Sequence, residues 1–221
     1  MNSTPRAGGR EVARTLLLDF DGTVTEEDML DRIAREFGDP VVFEEVEHGF
    51  ERGEVTLRYE IERKLGSVCR PVAAVALWQI EHARLRPGLR ELAELARRRG
   101  WRLEIVSSSF HELIEPLLAH HGLEVAVHAN RVEDGRDGWL VHWAFGEDCE
   151  TCGEACKRVA LERFEGSEIV YVGDGYSDRC AARAADRVFA TSELAGYLER
   201  EGVAHEHFDD FHSVVAALER A

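Results

Sequence analysis

Lysine is nearly missing from this 221-residue chain, and positive charge falls well short of negative. Lys64 and Lys157 are its only lysines, and Lys plus Arg number 27 against 43 Asp plus Glu, for a formal net charge of −16. A field of that sign repels nucleic acid and anionic membrane surfaces at long range, so neither is an expected partner. It also disfavours anionic small molecules unless a local cation inverts it. No apolar stretch approaches the ~20 residues of a membrane-spanning helix. Residues 1–10 are polar and lack an apolar signal core, which reads as a disordered tail on a cytoplasmic protein. Five cysteines, an odd number without a secretion signal, argue against a disulfide framework. Internal repeats and low-complexity tracts are missing, and nothing requires or forbids self-association.

What remains is 44% hydrophobic and 32% charged, ordinary for a globular protein, and long enough for one core plus a small second domain. Residues 12–18 read as a buried strand. A wholly helical block follows over 26–85, with segments ended at Gly38-Asp39-Pro40, near Gly53 and at Gly66. After Pro87-Gly88 strands and helices alternate. A helix over 89–99 precedes a strand over 101–106, and a helix over 110–121 carries Pro116. Strands over 124–132 and 139–145 flank Asp134-Gly135-Arg136-Asp137-Gly138 as a hairpin. Helices are expected over 154–164, 177–185, 192–201 and 211–220, with strands over 168–172 and 187–190. That alternation implies an α/β fold with a Rossmann-like parallel sheet, covered on both faces. The expected organisation is a core of residues 11–25 and 86–221, with 26–85 inserted as a helical cap.

Four clusters carry chemistry. Asp19-Phe20-Asp21-Gly22-Thr23 follows the apolar Leu16-Leu17-Leu18. Residues i and i+2 of an extended segment face one side, so two carboxylates share a pocket and need a cation. Ser107, first of three serines after a strand, offers a hydroxyl and backbone N–H groups to a phosphate oxygen, or an ordinary helix cap. Lys157 is a point charge for a phosphate, or a surface lysine. Gly173-Asp174-Gly175-Tyr176-Ser177-Asp178 puts one carboxylate in a glycine-flanked turn and another four residues on, suited to a hard cation or to plain turn capping. Asp19, Ser107 and Asp174 all fall at expected strand C-ends, where ligands gather in parallel sheets.

Taken in order, this set resembles the four-part signature of the haloacid dehalogenase-like hydrolase superfamily, from about Leu16 to the C-terminus. The resemblance implies that Asp19 is a nucleophile forming an aspartyl-phosphate, and Asp21 a general acid and base. Ser107 and Lys157 would grip phosphate. Asp19, the Asp21 carbonyl and Asp174 would hold Mg²⁺, with Asp178 orienting the site. An aspartate at position 21 implies phosphatase or phosphotransferase chemistry on a small phosphate monoester. A receiver-like module that holds phospho-Asp19 without turnover is the alternative from another class.

The helical insert is similar to the phosphoserine-phosphatase-like branch. Ala129-Asn130-Arg131-Val132 before Asp134-Gly135 resembles phosphoserine phosphatase. Cys149-Glu150-Thr151-Cys152-Gly153-Glu154-Ala155-Cys156-Lys157 resembles instead the methionine-salvage 2-hydroxy-3-keto-5-methylthiopentenyl-1-phosphate phosphatase group. By the same resemblance Asp28 and Lys64, with Arg63 adjacent, fall where that branch meets the substrate amine and carboxylate. Ser108 and Ser109 replace its glycine pair after the motif serine.

Cys149, Cys152 and Cys156 lie within eight residues. With Cys180 or His142 they could complete a tetrahedral zinc site; free thiols and an adventitious disulfide are the other readings. Cys69 reads as packing.

Overall fold

A computed structural model describes residues 13–144 and 149–220. The expected tail over 1–10, and the outer ends of two expected strands at Val12 and Phe145, lie outside the described residues. The chain opens with β1 (Arg14–Leu18) and a tight turn at Phe20–Val24. Four helices follow: α1 (Met29–Phe37), α2 (Pro40–Glu51), α3 (Leu57–Gly66) and α4 (Val72–His82). Next come α5 (Leu89–Arg99), β2 (Arg102–Phe110) and α6 (His111–His120). A hairpin of β3 (Ala126–Asp134) and β4 (Trp139–His142) leads to α7 (Arg158–Leu161) and β5 (Glu168–Gly173). The chain closes through α8 (Arg179–Ala182), β6 (Arg187–Ala190), α9 (Ser192–Arg200), β7 (Glu206–His207) and α10 (Phe211–Glu219).

The sheet runs β4-β3-β2-β1-β5-β6-β7, parallel throughout except for β4. Its central strand is apolar on both faces because both are covered. Leu16 and Leu18 pack with α5, α6 and α10. Leu17 points the other way, with Val106 and Tyr171, into a layer made by α7, α8 and α9. The result is an α/β/α sandwich. From β1 the chain winds outward in both directions, so the gap between β1 and β5 is the topological switch point.

Four of the helices start at a capping side chain. Asp28, Asp39, Thr56 and Asp210 accept from backbone N–H groups in the first turns of α1, α2, α3 and α10, and Pro40 occupies the first turn of α2. Helices α1 to α4 leave the sheet at Thr25 and return at Leu85, two residues paired by an antiparallel bridge. Their apolar faces do not close on each other alone. Ile33, Phe43, Ile61 and Leu65 share one cluster with Phe110 and Leu113 of the sheet side and Val132 and Trp139 of the hairpin. The hairpin turn comes so close to α3 that a Cβ on Gly138 would lie 1.7 Å from the Gly66 carbonyl oxygen.

Three segments differ from expectation. β2 runs on through the serines to Phe110, with a register break between Val106 and Phe110, so Ser107 caps no helix. The helix expected over 154–164 shrinks to α7 and a 3₁₀ turn at Glu162–Phe164, which leaves Lys157 at the N-terminal boundary of α7. The preceding residues are held instead in turns by Gly153 N–H to Cys149 O and Cys149 N–H to Glu154 O. The helix expected over 177–185 becomes a 3₁₀ turn at Tyr176–Asp178 and the short α8. The edge strand β7, two residues long, left no pattern to read.

Trp139 pins the hairpin to the insert: it is 3% exposed, its Nε1 donates to Arg70 O at 2.7 Å, and it meets Phe110 edge-on. Trp139→Ala is expected to destabilise the chain by about 3–5 kcal/mol, read as a shifted urea midpoint. Trp139→Phe, which keeps most of the packing, costs far less.

Candidate active site

The strand order places the sequence motifs side by side. Leu18 pairs with Ile105 on one side and Val172 on the other, so the C-ends of β1, β2 and β5 are adjacent. Asp19 follows β1, its N–H donating to Val172 O at 2.9 Å. Asp174 follows β5, and Ser107 sits in the last part of β2. All three line a cavity of about 770 Å³ between these strand ends and the helices α1 to α3. Asp21, Asp28, Lys64, Ser108 and Lys157 line it too.

At the floor, the Lys157 ammonium lies between two carboxylates, 2.5 Å from Asp19 Oδ1 and 2.6 Å from Asp178 Oδ1. All three residues are buried. Burial alone would lower the Lys157 pKa; the Asp178 and Asp19 carboxylates reverse that and raise it, so the ammonium stays charged. Asp178 is fully occupied. Tyr171 Oη donates to its Oδ1 at 2.6 Å, and the N–H groups of Asp174 and Gly175 each reach its Oδ2 at 3.0 Å. Burial pushes the Asp178 carboxyl up, but Lys157 outweighs it, and the pKa ends below the ordinary value. Asp178 is therefore an anion that orients its neighbours and has no lone pair to spare for a substrate.

Asp19 and Asp174 are in the opposite state. Burial, and then the Asp178 charge, raise Asp19 well above the carboxylate range and push Asp174 up to about 6. Oxygens of Asp19, Asp174 and Asp178 lie within 4.8 Å of one another. Lys157 alone does not balance three buried carboxylates. The donors are all oxygen and suit a hard divalent cation such as Mg²⁺. Gly22, at φ +77°, makes room: a Cβ there would stand 2.3 Å from Asp174 Oδ2. Thr23 Oγ1 holds the other Asp174 oxygen at 2.7 Å.

Asp21 stands apart from this group. Its Oδ1 is buried with no hydrogen-bond partner. Burial, then the Asp28 charge, push its pKa up to about 8, so the carboxyl carries a proton near neutrality. Ser107 is 1% exposed and accepts from Ser109 N–H at 3.0 Å. Asn130 steadies the serine segment, its Nδ2 donating to Ser108 O at 2.7 Å. The cavity lining contains no histidine, which leaves acid and base work to carboxyl groups.

On the insert wall the expected residues are placed unequally. Lys64, expected at the substrate, is 6% exposed and already satisfied. It pairs with Glu47, with Glu60 Oε1 at 2.7 Å and with Asp31 Oδ1 at 3.4 Å, and lies over the Phe43 ring. Arg63 is exposed and outside the cavity lining. Asp28 lines the cavity while its Oδ1 caps α1 through Asp31 N–H at 2.8 Å.

Residues 16–183 match the haloacid dehalogenase-like hydrolase family. The chain belongs to that family. Among curated haloacid dehalogenase-like relatives, a 2-hydroxy-3-keto-5-methylthiopentenyl-1-phosphate phosphatase of Exiguobacterium sibiricum is 26% identical over 215 residues, covering 92% of this chain and 95% of its own. A polyol phosphate phosphatase of Saccharomyces cerevisiae is 27% identical, covering 95% and 94%. A solved phospho-aspartyl intermediate analogue of phosphoserine phosphatase superimposes with a TM-score of 0.70 at 20% identity, over 94% of this chain and 99% of that one. That likeness establishes the shared α/β fold.

Some members of the site carry no sequence signal. Tyr171 sits mid-strand in an apolar run and reads as core. Arg86 clamps the turn after Asp21, with Nη2 on Gly22 O at 2.6 Å and Nε on Thr23 O at 2.9 Å. The four cysteines Cys149, Cys152, Cys156 and Cys180 do converge, whereas His142 turns away to Glu133 at 3.1 Å. Cys69, expected as packing, is exposed. Tyr171→Phe removes one donor from the buried Asp178 carboxylate and should cost about 1.5–3 kcal/mol in chemical denaturation, with the fold retained by circular dichroism.

Proposed function

We propose that the chain is a Mg²⁺-dependent phosphatase that hydrolyses small phosphate monoesters through an aspartyl-phosphate on Asp19. The observation that carries the reading is a buried carboxylate at the sheet's switch point. It stands against a charged lysine, beside a second, protonated carboxyl with a free oxygen. Asp19 and Asp174, with the carbonyl of Asp21, would hold the cation, which neutralises phosphate charge and lets a carboxylate approach phosphorus. Two of the three Lys157 donors are committed to Asp19 and Asp178, so the third is available to a phosphoryl oxygen together with the Ser107 hydroxyl.

An Asp19 oxygen attacks phosphorus, the ester P–O bond breaks, and the departing alkoxide takes the Asp21 proton. The Asp21 carboxylate then accepts a proton from water as that water attacks the phosphoryl group. Phosphate leaves, and both aspartates return to their starting states.

The insert, read as a cap over residues 26–85, governs the leaving group. On this wall Asp28, Asp31, Glu47, Glu51 and Glu60 stand among Leu30, Phe50, Leu57 and Ile61. Its one cation, Lys64, is held by three carboxylates. Arg179, on the core side, pairs with Glu193 and stacks on Tyr176 at 4.3 Å. Among the described lining residues a leaving-group carboxylate such as that of phosphoserine therefore meets only cations already paired with a carboxylate, although the Nε of Arg179 has no partner. An uncharged, partly apolar leaving group fits, as in the methylthiopentenyl phosphate of the methionine-salvage relatives, and a cationic amine is tolerated.

Two measurements test this reading. Asp19→Asn should lower phosphate release by at least about 10³-fold, with wild-type turnover requiring added Mg²⁺. Stoichiometric labelling without turnover would point instead to a phosphoryl-holding module. In a panel of phosphoserine, phosphoethanolamine and the methylthiopentenyl phosphate, kcat/KM for phosphoserine should be lowest, by about 10²-fold. Phosphoserine as the best substrate would overturn the substrate assignment.

A further inference from the structure

The segment from Cys149 to Lys157 has almost no regular structure, yet it delivers the lysine that stands between Asp19 and Asp178. Packing among the described residues does not explain its order. Its buried apolar contacts there reduce to a cluster of three side chains, Cys149, Cys156 and Cys180, and no larger described side chain joins them. Three thiols are a poor core, since a cysteine buries little area.

Their arrangement has a different logic. The sulfurs of Cys149, Cys152, Cys156 and Cys180 all lie within 4.8 Å of one another. Cys149 Sγ and Cys180 Sγ are 3.8 Å apart, and all four thiols are free. A disulfide requires about 2.05 Å, so this is no bond. A tetrahedral metal with sulfur ligands at about 2.3 Å sets an edge of about 3.8 Å between sulfurs. Three ligands come from one turn-rich loop, and the fourth reaches in from α8.

Charge complements the geometry. A divalent metal with four thiolates carries a net charge of −2. Arg158, Arg179 and Arg183 line a cavity of about 370 Å³ together with Cys152, Cys156, Cys180 and Glu154. Arg179 and Arg183 also pair with Glu193 and Glu201, so the rim is partly positive.

We propose that Cys149, Cys152, Cys156 and Cys180 bind one structural Zn²⁺ that fastens the Lys157 loop to α8. Four sulfur ligands close the coordination shell, so the ion holds no water and takes no part in hydrolysis. Its role follows from adjacency. Cys156 precedes Lys157, and Cys180 lies two residues after Asp178. The zinc site and the Lys157–Asp178 ion pair therefore join the same two segments at two points. On binding, the thiols lose their protons to solvent and no electrons change hands.

The test is independent of whether the chain is a phosphatase, because it reads metal and thiols. Protein purified without chelator should contain about one zinc per chain by elemental mass spectrometry. A thiol reagent should then modify Cys69 quickly and the other four only after a chelator and denaturant are added. Cobalt substitution should give the intense thiolate-to-metal absorption of a tetrahedral sulfur site. Cys180→Ser should lower zinc content at least about tenfold, and Cys69→Ser should leave it unchanged. Measurements on the unmodified chain decide the matter even where Cys180→Ser fails to fold. Zinc-free protein after reconstitution with zinc, five equally reactive thiols, a mass deficit from disulfides, or iron in place of zinc would each overturn the proposal.

Discussion

A lysine ammonium buried between two aspartates is the interaction on which the site depends. Removing Lys157 leaves two buried carboxylates facing each other without a cation, at a cost of about 3–5 kcal/mol. The fold is arranged to make that burial tolerable. Asp178 receives four donors, from Lys157, Tyr171 and two backbone N–H groups, so its charge is satisfied inside the protein. Asp19 is left with less, and Asp174 has Thr23 and Asp19 as side-chain partners. That inequality separates one carboxyl held below its ordinary pKa, Asp178, from two raised above it, Asp19 and Asp174.

The same scarcity of lysine shapes both walls of the cleft. Each of the two lysines is buried and shared among carboxylates. A compact ammonium with three donors suits this better than a planar guanidinium. On the sheet side Lys157 stands between Asp19 and Asp178. On the insert side Lys64 is shared by Asp31, Glu47 and Glu60, and ties α1, α2 and α3 together. The insert wall of the cavity is thereby negative and partly apolar among the described residues.

The catalytic motifs were legible because chemistry constrains them locally. Asp19 and Asp21 must leave one strand on the same side, and Asp174 and Asp178 must share one glycine-flanked turn. Each pair is set by spacing within a few residues. The α/β class was legible from alternation, and the boundaries of α5 matched the expected segment. Elsewhere local signals misled. The 154–164 segment has helical composition, but its first residues lie in turns beside Cys156, which packs with Cys149 and Cys180. The serines read as a phosphate grip or a helix cap, and β2 runs on through them to Phe110 past a register break.

Sequence alone singled out Asp19, Asp21, Ser107, Lys157 and Asp174, by residue type and by their order along the chain. Tertiary structure decided how each of them is buried and paired. Lys64 and Lys157 are the same residue type with opposite availability, and Asp178 and Asp174 are four residues apart with opposite pKa shifts. The reason is physical. Availability and proton affinity depend on burial and on the charges within a few ångströms, and those neighbours come from α1 to α3, β5 and the cysteine loop, far away along the chain.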